Sequence, residues 1–148
     1  MSGFRFLTIF ILCYSVCFSQ PDDTVTAGQS FTVSGTITNF QPGKTMYFAL
    51  YTSQENLDNR NFYRKVIFEG HKLQGDSVHF AFTDVVPGEY IIAGYQDING
   101  DGKMNMGLFG PKEPYRIHEP NYGLFGPKFN KCKFRVSGNI DTVIIVLK

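Results

Sequence analysis

Val78-His79-Phe80-Ala81-Phe82-Thr83-Asp84-Val85-Val86-Pro87-Gly88-Glu89-Tyr90-Ile91-Ile92-Ala93-Gly94-Tyr95 reads as strand, turn, strand. Val78, Phe80 and Phe82 alternate with His79 and Ala81, the period of a half-buried strand. Val86-Pro87-Gly88-Glu89 carries the Pro-Gly signal of a turn. Tyr90 to Tyr95 is apolar on both faces, which a strand tolerates only at the centre of a structure. Met46 to Tyr51 has the same two-faced character, so it is a second central strand. Phe31 to Ile37 alternates again, and Asn39-Phe40-Gln41-Pro42-Gly43 turns the chain between these two.

Val66-Ile67-Phe68 adds a short strand. Cys132, Phe134 and Val136 alternate with Lys131, Lys133 and Arg135, and Thr142 to Leu147 closes the chain with a β-branched run. Helical periodicity is absent, apart from one turn's worth at Glu55 to Arg60. About seven short strands with turns between them predict an all-β fold, an antiparallel, Greek-key-like sandwich. A closed barrel has the same periodicity and stays open as an alternative.

The chain of 148 residues has the length of one domain. Its 43% hydrophobic and 18% charged residues are a globular composition and exclude a mainly disordered chain. The N-terminus, MSGFRFLTIFILCYSVCFSQ, holds one charge, Arg5, and then an apolar run from Phe6 to Phe18. A permanent span needs about 20 apolar residues. The shorter run with a basic residue before it predicts a secretory signal over 1–19, cleaved after Ser19. A linker, 20–29, and a sandwich domain, 30–148, follow, with no stable membrane span. The expected location is periplasmic or extracellular.

Losing Arg5 leaves thirteen basic and thirteen acidic residues. A neutral surface has no general attraction for nucleic acid or anionic lipid. Lys128, Lys131, Lys133 and Arg135 cluster, and are expected on the solvated face of one strand. Cys13 and Cys17 leave with the signal, so Cys132 is the remaining cysteine and no internal disulfide forms. On the apolar parity of its strand, Cys132 reads as a buried thiol.

Residues 97–130 break the strand pattern. They hold six of the 15 glycines and four of the seven prolines, so turns are expected throughout. Long loops of this kind are commonly functional or disordered. Phe109, Tyr115, Tyr122 and Phe125 argue for order, and they are candidates for ligand contact. Gly107-Leu-Phe-Gly-Pro-Lys112 repeats as Gly123-Leu-Phe-Gly-Pro-Lys128. The repeat is either a local duplication or a pair of matched turns.

The segment opens with Asp97-Ile98-Asn99-Gly100-Asp101-Gly102-Lys103-Met104-Asn105, which fits the front of a calcium loop, D-x-[DN]-x-[DN]-G. Calcium takes six to eight oxygens at about 2.3–2.6 Å, and alternate carboxylates and amides converge when the backbone curls. Asp97, Asn99, Asp101, the Lys103 carbonyl and Asn105 are the expected ligands. Leu108 stands where an EF-hand has its bidentate glutamate, so Glu113 is the candidate for the missing carboxylate. A metal-free turn is the alternative, since Asn, Asp and Gly favour turns anyway. Nucleophile elbows, zinc motifs and phosphate loops are absent, and His71, His79 and His118 are scattered.

Gly88-Glu-Tyr90, then Tyr95-Gln-Asp97-Ile-Asn99-Gly-Asp-Gly102-Lys-Met, then Gly110-Pro-Lys-Glu113, with Tyr122-Gly123 and Pro127-Lys128-Phe129 behind them, resemble the exported bacterial proteins of domain of unknown function 2141. The resemblance covers most of the chain after residue 19. It implies a signal peptide and a compact β-sandwich, and no activity. Asn105 stands where that family commonly has Asp, and Arg116-Ile-His-Glu-Pro120 looks like extra material. Phe82 to Tyr90 also resembles the strand-turn-strand of transthyretin-like and carboxypeptidase-regulatory-like modules.

The expectation is an exported, non-catalytic module with a calcium-stabilised loop that binds an envelope or extracellular glycan or peptide. The alternatives are a structural component of an envelope assembly, and a hydrolase using Asp97, Asp101 and Glu113.

Overall fold

The structure, a computed structural model, describes residues 28–108, 110–123 and 126–148. The expected signal peptide and nearly all of the linker lie outside the described residues. The fold is an all-β sandwich.

The seven expected strands are present: β1 (Phe31–Thr38), β2 (Met46–Tyr51), β3 (Arg64–Phe68), β4 (Ser77–Val85), β5 (Gly88–Gln96), β11 (Phe134–Val136) and β12 (Ile140–Val146). Residues 97–130 carry five short strands that periodicity misses: β6 (Met106–Gly107), β7 (Gly110–Pro111), β8 (Tyr115–Ile117), β9 (Tyr122–Gly123) and β10 (Gly126–Pro127). Segments of two or three residues are too short to show a period. One sheet has the order β12-β1-β4, and the other β11-β5-β2-β3, with β8 beside β11 on the same edge of β5. β1 pairs antiparallel with β4 but parallel with β12, because the chain crosses from β11 to the other sheet instead of turning back in a hairpin. The Asn39 amide donates to the Leu147 carbonyl (2.6 Å) and ties the ends of β1 and β12 together.

The main core lies between the sheets. Val33 and Ile37 of β1, Phe80 and Phe82 of β4, and Val143 and Ile145 of β12 face Met46, Phe48 and Leu50 of β2 and Ile92 of β5. β5 buries its other face as well. Ile91 and Ala93 pack with Ile117 and Cys132, under Leu57 of α1 (Gln54–Asp58) and Phe129 of α2 (Phe129–Cys132). This second, smaller core explains why the β5 sequence is apolar on both parities.

α2 corrects the alternation expected from Lys131 onward. The Gln54 carboxamide accepts from the Phe129 N–H at 2.7 Å, which caps the start of a short helix. Cys132 is buried as expected, but on this helix. The basic cluster is therefore not one strand face. Lys131 lies on α2, Arg135 on β11, and Lys133 pairs with Glu89 at 2.7 Å. At the β4–β5 turn the Tyr90 hydroxyl donates to the Val86 carbonyl at 2.7 Å, the tie of a tyrosine corner. Burial, with Tyr63 beside it, pushes the Tyr90 phenol up to about 12.

Gly94 lies opposite Phe48 in the β2–β5 ladder, and a Cβ there would overlap the Phe48 ring. The ring lies across the glycine and fills the core at that point. Gly94→Ala is expected to cost about 1–3 kcal/mol, the range for overpacking a tight core. Urea unfolding with an unchanged slope checks this, and a substitution that leaves the midpoint in place contradicts the packing.

Candidate functional site

β5 ends in a side chain, Gln96, that anchors the start of the 97–113 loop. Gln96 is fully buried. Its amide donates to the carbonyls of Gln41 (2.7 Å) and Lys44 (3.1 Å), and its oxygen accepts from the Gln41 N–H (2.8 Å). The β1–β2 turn is thereby fixed against the end of β5. The Asp97 N–H then donates to the Thr45 carbonyl, and the Lys44 ammonium donates to the Ile98 carbonyl at 2.7 Å. The loop leaves the sheet from a fixed point.

Asp97 is 3% exposed and Glu113 is 7% exposed. Burying an unpaired carboxylate is costly, so each must be answered by donors. For Asp97 the donors are the N–H groups of Gly100 and Gly102, both at 2.7 Å, one on each oxygen. Gly100 and Gly102 have φ of +79° and +73°, and the glycines supply the curl without strain. Glu113 accepts from the Ile98 N–H (3.0 Å) and the Asn105 N–H (3.1 Å), again one per oxygen. Two carboxylates thus clasp four backbone amides across residues 97–113. The Lys112 N–H donates to the Asn105 carbonyl (2.8 Å), and the Gln96 N–H to the Pro114 carbonyl (2.9 Å), closing the return.

Asp101 is different, because it is exposed. One oxygen accepts from the Lys103 N–H (2.8 Å). The other accepts from the Asn105 amide (2.9 Å) and the Asn99 amide (3.1 Å). The Asn105 amide, then the Lys103 N–H and the Asn99 amide, hold its carboxyl below the usual carboxylate range. All six expected ligands, Asp97, Asn99, Asp101, Lys103, Asn105 and Glu113, therefore belong to one hydrogen-bonded loop. Among the described residues no three His, Cys, Asp or Glu side chains converge to hold a metal.

Of the four candidate aromatics, Phe109 and Phe125 lie outside the described residues. Tyr122 belongs to β9, and Tyr115 to β8. Tyr115 stands opposite Tyr95 of β5, which stands opposite Tyr47 of β2. Three strands thus bring three tyrosines into one row on the outer face of the sheet. The Tyr47 and Tyr95 rings stack at 5.2 Å with planes 19° apart. The Tyr95 hydroxyl donates to the Gly102 carbonyl (3.1 Å), which ties the row to the loop. Burial pushes Tyr95 up to about 12, helped by Tyr47 and by the negative charges of Asp97 and Glu113. The Arg60 guanidinium donates to the Met104 carbonyl (3.2 Å) on the same side. Sequence reading missed Tyr47 and Tyr95. Their side-chain parity was legible, but the register that aligns them with Tyr115 was not.

In each copy of the duplicated hexapeptide the first glycine pairs antiparallel with the second, Gly107 with Gly110 and Gly123 with Gly126. They do not form one site. The first follows the Asp97 end of β5, whereas the second lies near α1, where Gln54 bonds the Pro127 carbonyl. His118 rests edge-on against Phe134 at 5.4 Å, and burial lowers its pKa against a partial opposing pull from Glu119. His79 faces outward on β4 as expected. Cys132 exchanges weak hydrogen bonds with the Asn121 backbone at 3.4 Å.

Removing the Asp97 carboxylate leaves two loop N–H groups without their charged acceptor. With hydrogen bonds to charged groups at about 1.5–3 kcal/mol each, Asp97→Ala is expected to lose about 2–4 kcal/mol, part being recovered by water. Denaturant unfolding checks the magnitude, and a loss below about 0.5 kcal/mol contradicts the clasp.

Residues 36–144 match the family described as uncharacterized protein conserved in bacteria, domain of unknown function 2141, and the chain belongs to it. No curated protein and no solved structure matches the chain. No helix among the described residues is long and apolar enough to cross a membrane.

Proposed function

We propose that this chain is an exported, non-catalytic β-sandwich module that binds a glycan at the cell envelope or outside it. The binding surface is the tyrosine row and the clasped loop beside it. Export rests on Arg5 and the apolar run from Phe6 to Phe18.

The observation that carries the reading is the use of the buried carboxylates. Asp97 and Glu113 each commit both oxygens to backbone N–H groups of their own loop. A general acid or base must exchange protons with a substrate within hydrogen-bond reach. These carboxylates instead hold a surface in shape. That surface lies against Tyr47, Tyr95 and Tyr115, with Arg60 and the loop carbonyls at the margin. Rings for stacking beside polar groups for hydroxyls suit a sugar. Peptide binding is the competing outcome.

The test is NMR titration of the purified protein with β-linked oligosaccharides and with tyrosine-containing peptides. Glycans are expected to move the ring resonances of Tyr47 and Tyr115, and Tyr47→Ala to weaken binding about threefold to tenfold, the value of one aromatic contact. Ring shifts produced by peptides alone, or by neither at millimolar ligand, contradict the reading.

Calcium has a narrower role in this proposal than the sequence motif implies. The carboxylate of Asp101, the amides of Asn99 and Asn105 and the Lys103 carbonyl are hard oxygen donors of the type calcium takes. Asp97 and Glu113 supply the frame without it. One exposed carboxylate at the centre implies weak affinity, in the extracellular range of about 0.1–1 mM. At a threefold excess over such a constant, calcium adds about 0.8 kcal/mol. Thermal unfolding in EDTA and in millimolar calcium is expected to show a small rise that Asp101→Ala removes. An identical rise in that variant contradicts the assignment.

A further inference from the structure

Asn99-Gly100 is the single Asn-Gly pair of the sequence, Asp101-Gly102 is the single Asp-Gly pair, and both fall in the clasped loop. The two pairs share one side reaction. The backbone nitrogen after the Asn or Asp loses its proton and attacks the side-chain Cγ. Ammonia leaves from Asn, or water from Asp, and a cyclic succinimide remains. Water then opens the ring to aspartate, or to isoaspartate, whose backbone runs through the side-chain carbon. Glycine in the second place favours the attack, because it has no side chain in the way and turns freely. Asn99 and Asp101 are exposed, so water reaches both.

The fold places both attacking nitrogens on one buried acceptor. The Gly100 N–H donates to Asp97 Oδ1 and the Gly102 N–H to Asp97 Oδ2, each at 2.7 Å. Removing either proton would break a charge-assisted bond and leave two negative charges in contact away from water. The Asn99 side chain is held as well. Its oxygen accepts from the Asp101 N–H (3.2 Å) and its amide donates to Asp101 Oδ2 (3.1 Å). Glu113 does a different job, because the nitrogens it binds are those of Ile98 and Asn105.

We infer that Asp97 is a chemical guard, which holds Asn99-Gly100 and Asp101-Gly102 as latent isoaspartate sites that react only when the loop opens. The change is one-way. At position 99 either product replaces an amide that donates to Asp101 with a carboxylate that repels it. Isoaspartate at either position also lengthens the backbone and moves the following glycine N–H away from Asp97. A loop that has opened long enough to react therefore cannot close as before. The inference is independent of the glycan reading, because the tyrosine row takes no part in this chemistry.

Peptide mapping by mass spectrometry tests it, on purified protein held at mildly alkaline pH in EDTA so that no cation contributes. Deamidation of Asn99 is read as a gain in mass, and isoaspartate at position 101 as a shifted chromatographic peak of unchanged mass. The folded parent is expected to react at least about tenfold more slowly than the same chain in denaturing urea, the factor given by about 1.4 kcal/mol of opening free energy. Asp97→Asn, matched in shape, should react several times faster than the parent. Glu113→Gln frees neither glycine nitrogen and should react more slowly than Asp97→Asn. In the parent itself, below the unfolding transition in urea, deamidation should rise in proportion to hydrogen exchange at Gly100, a comparison that needs no variant to fold. A folded parent that reacts at the denatured rate, an Asp97→Asn variant no faster than Glu113→Gln, or deamidation that does not follow exchange at Gly100 overturns the inference.

Discussion

Two buried carboxylates, Asp97 and Glu113, are the constraint on which the rest of this structure turns. Asp97 and Glu113 are answered by four backbone N–H groups of the segment that separates them. Such bonds are charge-assisted, and in a site closed to water they are costly to leave unmade. Glu113 sets the return of the chain. Once it bonds Ile98 and Asn105, Pro114 is placed to accept from Gln96, and Tyr115 falls into register with Tyr95. The Tyr115 N–H also reaches the Lys148 carbonyl (3.2 Å), so β8 links the edge of one sheet to the end of the other. A segment rich in glycine and proline is thereby held as an integral part of the sandwich.

β5 is the structural axis for the same reason. It is covered on both faces, by the inter-sheet core on one side and by α1, α2 and Ile117 on the other. Its last residues, Tyr95 and Gln96, point to opposite sides and do different work. Gln96 satisfies the turn before β2, and Tyr95 joins the loop to the tyrosine row. Strand geometry supplies this division, because successive side chains alternate between faces.

Much of the fold was legible in the sequence because period two is a strong signal where one face is buried. Phe31 to Ile37, Met46 to Tyr51 and Tyr90 to Tyr95 declared their strands, and the two-faced runs declared which were central. Cys132 to Val136 misled because alternation describes side chains and not the partner of the backbone. There Gln54, more than seventy residues earlier, caps a helix that no local pattern announces. β6 to β10 are too short to carry a period at all. At the site, the Asp-Asn-Asp-Gly residues share one hydrogen-bonded loop, and Glu113 bonds the Ile98 and Asn105 N–H groups of that loop. What spacing left open was the partner. Peptide N–H groups are present in every sequence, so a carboxylate that binds them has no signature distinct from one that binds metal.

The central claim is that Asp97 and Glu113 hold this loop through its own amides. Hydrogen exchange of residues 97–113 in EDTA tests it most directly. The account predicts that the N–H groups of Gly100, Gly102, Ile98 and Asn105 are protected well above the rate of an open chain with no metal present. Exchange of these four at the open-chain rate in EDTA, with protection restored only by calcium, would contradict it.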